Sequence, residues 1–343
     1  MSTITGRWVI AFALLALCPC PVAAQRPFVE RVDVSRVLID ARVLDDKGQA
    51  VTGLGPTDFT VSIDGDPVRI ESVEWIEGAE GDLDAPVTDA SEEIAPRQSD
   101  GRLIVVLVQK DLEPKRVVGL MVMLKIIEPL FQQLRPADRV AVLSFDSRLR
   151  LWTDFTSDVD RVRELLTQHV LLRLPPPVIA SEGASLLARL DLASRTRTSG
   201  FEDSLRMIGE ALEPLPGAKS VVLLGYGFGR FDRSTLGATM MPSYDEARAA
   251  LQQARASVFS LNVTQANYNS LQVGLQNMSA ATGGFYASTY EFPVLAMERV
   301  VHALRGYYVL FVDKPKARAG EHRIDVRLVE RHGRVFARRG YVD

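Results

Sequence analysis

The chain has 343 residues, 47% apolar and 24% charged, with a formal net charge of −3. That size buries a sizeable core and exceeds an average single domain, and the apolar share excludes wholesale disorder. The charge excludes a chain-wide footprint for nucleic acid, and both cysteines, Cys18 and Cys20, sit so early that no disulfide framework or cysteine-built zinc site is expected beyond residue 20.

Residues 1–24 read as an export signal. Arg7 precedes the apolar run Trp8–Leu17, Pro19 and Pro21 break any helix, and Val22-Ala23-Ala24 supplies the small residues of a cleavage site. The run is too short for a stable membrane span, so the mature protein is expected to be exported, periplasmic or extracellular.

Residues 28–75 read as an N-terminal β domain. Val32–Val43 alternates as a half-buried strand does, Asp45-Asp46-Lys47-Gly48 is a turn, and Phe59–Ile63 alternates again before the hairpin signal Asp64-Gly65. A small β-sandwich-like unit fits. Residues 76–100 carry eight acidic residues, one arginine and no apolar periodicity, and read as an acidic linker.

From residue 102 strands alternate with helices. Leu103–Val108 is a continuous apolar run, the mark of a strand covered on both faces. A helix from Pro114 to about Leu134 follows, with a kink expected at Pro129. Arg139–Phe145 is the next buried strand and Leu149–Trp152 a short edge strand; Ser157 is the expected cap of the helix after it. Helical patterns cover about 181–193, 200–212, 243–255 and 268–281, the last ended by Gly283-Gly284. Val221–Leu224 and Val258–Val263 are further strands. A last helix spans about Pro293–Leu304, and the C-terminal extension 305–343 holds three strand-like stretches, which either extend the N-terminal β domain or pack on the α/β sheet. The fold class is α/β, a doubly wound, mostly parallel, Rossmann-like sheet over 102–304 with β-rich flanks.

Several stretches are similar to the von Willebrand factor A-domain family in its exported bacterial form. They are Asp46–Leu54 with Asp58-Phe59 and Asp64-Gly65, Leu134–Phe145 at the helix-to-strand crossing, Ala280–Tyr286, and Arg338-Arg339-Gly340-Tyr341. The resemblance covers about residues 30–75 and 102–342. It implies a sheet whose C-terminal edge binds Mg²⁺ through an Asp-x-Ser-x-Ser loop, a Thr and a second Asp, with an acidic ligand group completing the ion's shell. In this chain Gln109 takes the first Asp position, Asp111 and Glu113 replace the serines, Ser199 is the counterpart of the Thr, and Tyr226 replaces the second Asp.

With both family aspartates replaced, the metal site is read as degenerate and no cofactor is expected, since Mg²⁺ needs a tight octahedron of hard oxygens. Asp111, Glu113 and Ser199 leave a rewired Mg²⁺ site as the alternative reading. The GxGxG of Gly225-Tyr226-Gly227-Phe228-Gly229 lacks dinucleotide spacing and is read as a flexible loop; no P-loop or GxSxG elbow occurs. Glu202-Asp203 is read as an acidic pair favouring a helix dipole. The proline-locked stretch Leu171–Ile179 and the loop 226–242, with Phe228, Phe231, Met240 and Met241, are placed over the same sheet edge. The expected function is an exported, non-enzymatic module binding a protein partner, with adhesion or scaffolding as its role. An enzyme using the same cleft is the alternative of another class.

Overall fold

The computed structural model describes residues 36–77, 101–190, 200–232, 237–267, 269–315, 319–329 and 333–342. The signal, most of the acidic linker and Ser199 lie outside the described residues. All described residues belong to the unit Ser35–Asp343.

In chain order the first strands are β1 (Arg36–Leu44), β2 (Phe59–Ile63), β3 (Asp66–Val68), β4 (Ile70–Glu77) and β5 (Leu103–Gln109). Helices α1 (Pro114–Lys125) and α2 (Glu128–Gln132) precede β6 (Arg139–Phe145), β7 (Leu149–Thr156) and α3 (Val159–Glu164). Then come α4 (Phe201–Leu212), β8 (Lys219–Gly225), the short strands β9 (Arg230–Asp232) and β10 (Gly237–Thr239), α5 (Ser243–Gln253), β11 (Ala256–Asn262), α6 (Gln272–Thr282), β12 (Tyr286–Ser288) and α7 (Pro293–Ala303). The chain closes with β13 (Gly306–Asp313), β14 (Glu321–Leu328), β15 (Arg334–Ala337) and β16 (Gly340–Val342).

The central sheet has six strands in the order β12-β11-β8-β5-β6-β7, parallel except for β7. Every residue of β5 is buried. Its alternate residues Ile104, Val106 and Val108 face one apolar cluster, shared with α1, α2, α3 and α7. Leu103, Val105 and Leu107 face the other, shared with α4, α5 and α6. This two-sided cover is why the strand has no polar face.

The closing strands pair with the opening ones. One antiparallel sheet runs β15-β1-β13-β4 and a second β16-β14-β2-β3, and the two share one apolar cluster that includes Ile39, Phe59, Ile63, Tyr308 and Ile324. The Asp64-Gly65 turn joins β2 to β3 with both residues at positive φ (54° and 95°), as a two-residue hairpin requires. The β1 expectation needs correcting. Its polar positions Asp40 and Arg42 are buried, not solvated. Arg42 passes under the base of the central sheet, donating to Ala303 O (3.0 Å), Ser257 Oγ (2.8 Å) and Ser220 Oγ (3.4 Å). Asp40 receives a two-pronged pair from Arg255, with Nε–Oδ2 at 2.8 Å.

Four helix expectations also change. Pro129 breaks the helix into α1 and α2 instead of kinking it, because proline has no N–H to continue the ladder and its ring crowds the preceding turn. Asp158, not Ser157, caps α3 by accepting from Arg161 N (3.0 Å). Residues 181–190 form turns and no helix; their N–H groups are held by a side chain described below. The helix expected from residue 268 starts at Gln272, and Gly283 ends it at φ 80°.

Lys219 at the start of β8 is buried, donating to Leu215 O and to Ala254 O (3.0 Å). Burial pushes its pKa down to about 8. Between that value and the unfolded lysine range the unfolded chain holds more protons than the folded one, so stability rises with pH from about 8 to 10.5. Lys219→Met should flatten that slope relative to wild type, by on the order of 2 kcal/mol across the window, in denaturant titrations at stepped pH.

Candidate functional site

The C-terminal ends of β5, β6, β8 and β11 carry the candidate site, as open α/β sheets place ligands outside their carboxyl edge. Its centre is Gln109, 2% exposed at the end of β5. Nε2 donates to Gly227 O (2.8 Å), while Oε1 accepts from Tyr226 N (3.0 Å) and Gly227 N (3.3 Å). One carboxamide thus satisfies three backbone groups of the loop after β8. Gly227 sits at φ 125°, and a Cβ there would lie 2.4 Å from Leu271 O, so this glycine is required by space as well as dihedral. The loop is specified rather than relaxed, which corrects the flexible reading.

Asp111 closes the turn ahead of α1. Oδ1 accepts from Leu112 N (2.6 Å) and Glu113 N (3.2 Å), and Oδ2 pairs with Arg116. Glu113 caps α1 by accepting from Arg116 N (3.0 Å). Burial opposes the charge of Asp111, but Arg116 and the two N–H groups hold its carboxyl below the usual range. The Arg116 guanidinium carbon lies 4.0 Å from the centre of the Tyr226 ring, a cation–π stack. Burial, then the Asp111 charge, pushes the Tyr226 phenol up. Asn269 holds the far side of the loop, donating to Tyr226 O and to Thr264 Oγ1 (3.3 Å).

Gln109, Asp111, Glu113 and Tyr226 are therefore brought to one rim; the fifth expected position, Ser199, is outside the described residues. Arg116, which joins Asp111 to Tyr226, was not singled out from sequence. Its spacing of five residues from Asp111, on the first turn of a predicted helix, was the available signal. The donor set does not fit Mg²⁺. Both polar atoms of Gln109 are committed to backbone, Asp111 and Glu113 to Arg116 and to N–H groups, and a fixed guanidinium lies against the Tyr226 ring. Among the described residues no group of three or more His, Cys, Asp or Glu could hold a metal ion.

An aromatic row backs the rim: Phe145–Phe201 (5.2 Å), Phe201–Phe228 (5.3 Å) and Phe228–Tyr244 (6.4 Å). Phe228 is thus core, only 3% exposed, and not a loop contact. Glu202 is buried too, which pushes its carboxyl up instead of leaving it a solvated dipole partner. The loops also carry open apolar side chains: Leu112 is 94% exposed, Leu172 91%, Leu174 74% and Ile179 84%, with Phe231 and Met241 also exposed. Asp154, missed from sequence, pins the loop after Ile179. It accepts from Leu186 N (2.7 Å), Ser181 N (3.2 Å) and Ser185 Oγ (2.5 Å).

Replacing Gln109 with Glu keeps the two accepted N–H groups but turns an oxygen toward Gly227 O. The variant should lose about 2 kcal/mol at pH 7 and recover part of it near pH 4, when the carboxyl regains a donor; urea unfolding at the two pH values reads this.

No protein-family model matches the chain, and no curated protein matches it. Solved structures do. BatB from Bacteroides thetaiotaomicron is 13% identical, with 60% of this chain and 97% of that chain covered and a TM-score of 0.36. Proximal thread matrix protein 1 from the mussel byssus is 13% identical at a TM-score of 0.38 over 62% of this chain, which spans about half (48%) of that one. A von Willebrand factor type A protein from Catenulispora acidiphila is 12% identical, covering 85% of this chain and 75% of that chain, with a TM-score of 0.41. At these values none of the likenesses bears on what this chain binds.

Proposed function

We propose that the chain is an exported, non-enzymatic protein-binding module of the von Willebrand factor A type that works through its loop edge without a metal ion. The carrying observation is Arg116. It pairs with Asp111 and lies flat on Tyr226, so the protein itself supplies the positive charge at the rim. A divalent ion there would meet a resident cation and carboxylates already engaged.

Binding energy then comes from the open apolar side chains of the loops: Leu112, Leu172, Leu174, Ile179, Phe231 and Met241. Gln109 fixes the loop after β8 and Asp154 fixes the turns after Ile179, which lowers the ordering cost of association. The signal-like residues 1–24 support a periplasmic or extracellular location, and we read the exposed loop side chains as serving an adhesion or scaffold role there. The β-rich flanks are read as a sandwich-like support for the module, on the strength of their shared apolar cluster.

Calorimetric titration with Mg²⁺ should give no saturable heat up to millimolar concentration; micromolar binding lost in Asp111→Ala would overturn the reading. A second test uses the pair Leu174→Asp and Ile179→Asp. Both side chains are exposed, so stability should stay within about 0.5 kcal/mol of wild type while a partner captured from envelope extract in EDTA is no longer retained. Capture that needs Mg²⁺ and fails in EDTA counts against it.

A further inference from the structure

Several arginines of this protein are matched. Arg102 pairs with Asp138, Arg116 with Asp111, Arg150 with Asp146, Arg163 with Glu128, Arg248 with Glu321 and Arg255 with Asp40. The half-buried Arg338 donates to Gln252 O (3.0 Å) and Leu38 O (2.7 Å). One cleft instead gathers three guanidinium groups that are not paired among the described residues. It lies between β12, an edge of the central sheet, and β15, an edge of the flanking sheet, and has a volume of about 450 Å³.

Arg299 of α7, Arg334 of β15 and Arg339 line it, with Phe285, Phe336 and Gln276; its lining holds no Asp or Glu. Among the described residues none of the three guanidinium groups makes an ion pair or hydrogen bond. Arg299 is nevertheless held in place. Its guanidinium carbon lies 4.4 Å from the centre of Phe285 and 5.4 Å from that of Phe336, and those rings meet edge to face at 5.6 Å. Stacking fixes the plane of the group and leaves its N–H edge free for an acceptor. Arg334 and Arg299 repel one another. Guanidinium groups do not lose their protons in proteins, so this repulsion is not relieved by deprotonation; it is relieved by a bound anion.

We propose that this cleft is a binding site for a multiply charged phosphoryl anion, of the size of pyrophosphate or a small phosphate ester. Three forked donors without a competing carboxylate match several oxygens at once, and the volume exceeds that of a single phosphate group. The site is independent of the loop edge and of the function proposed for it.

The probe is inorganic pyrophosphate, titrated into the full chain by calorimetry at about 50 mM salt, where a screened surface attraction stays weak but a convergent site does not. One saturable site with submillimolar affinity is expected. Arg334→Gln with Arg339→Gln should weaken it at least about tenfold, and so should Arg299→Gln. The first pair carries the test if loss of the Arg299 stack impairs folding, since Arg334 and Arg339 are exposed. Arg36→Gln, which removes a surface charge paired with Glu71, should leave the affinity unchanged. Unsaturable heat, equal affinity in the double variant, or a similar loss in Arg36→Gln overturns the site. Tighter binding of malonate than of pyrophosphate overturns the phosphoryl assignment.

Discussion

The rim depends on one side-chain amide. Where β5 ends, Gln109 enters a space that the loop after β8 encloses, and its carboxamide meets one carbonyl and two N–H groups of that loop. A carboxylate of the same length has no donor for Gly227 O, so the amide specifies this backbone path in a way an acid does not. The path in turn places Tyr226 with its ring under Arg116, and Arg116 closes on Asp111. Glutamine, tyrosine and arginine thus form one arrangement: change the first and the other two lose their geometry. Such networks are stabilising only when every member is satisfied, and here each carbonyl and N–H named has a partner.

A second polar system sets how the flanking strands meet the central sheet. Arg42 and Asp40 lie on the face of β1 that an alternating strand normally offers to water, yet both are buried. Each pays its desolvation through named partners: Arg42 through Ala303 O and two serine hydroxyls, Asp40 through Arg255. Burial lowers the pKa of Arg42, against which Asp40 works. Replacing one partner alone leaves a buried charge, which costs far more than the pair contributes, so these contacts fix the docking of the layers more than they add to stability.

Much of the architecture was legible because its signals are local. Continuous apolar runs such as Leu103–Val108 and Val221–Leu224 identify strands covered on both faces, and Asp64-Gly65 and Gly283 are turn and cap residues with dihedral reasons of their own. What was not legible depends on partners distant in the chain. Nothing near Asp154 announces that it will hold N–H groups some 30 residues away, and nothing near Arg42 announces Ser257. The 181–190 stretch shows the cost: its apolar spacing is helical, but Asp154 gives the backbone a better set of partners, and it stays in turns. At the rim the substitutions at 109 and 226 were readable as losses. That they form a gain, a socket for Arg116, is a tertiary fact.

The same residue type then has two opposite uses on opposite sides of the molecule's chemistry. At the rim Arg116 is quenched by Asp111 and covered by Tyr226, which leaves the surrounding apolar side chains to govern contact. In the cleft by β12 and β15, Arg299 is stacked in the same manner on Phe285 and Phe336, but its guanidinium pairs with no acid among the described residues. Stacking alone therefore does not distinguish a structural cation from a receptive one; the counter-charge does. Where an aspartate is supplied, the field closes locally and the group becomes scaffold. Where three guanidinium groups share a concave surface without one, the field stays open to solvent and selects anions from it.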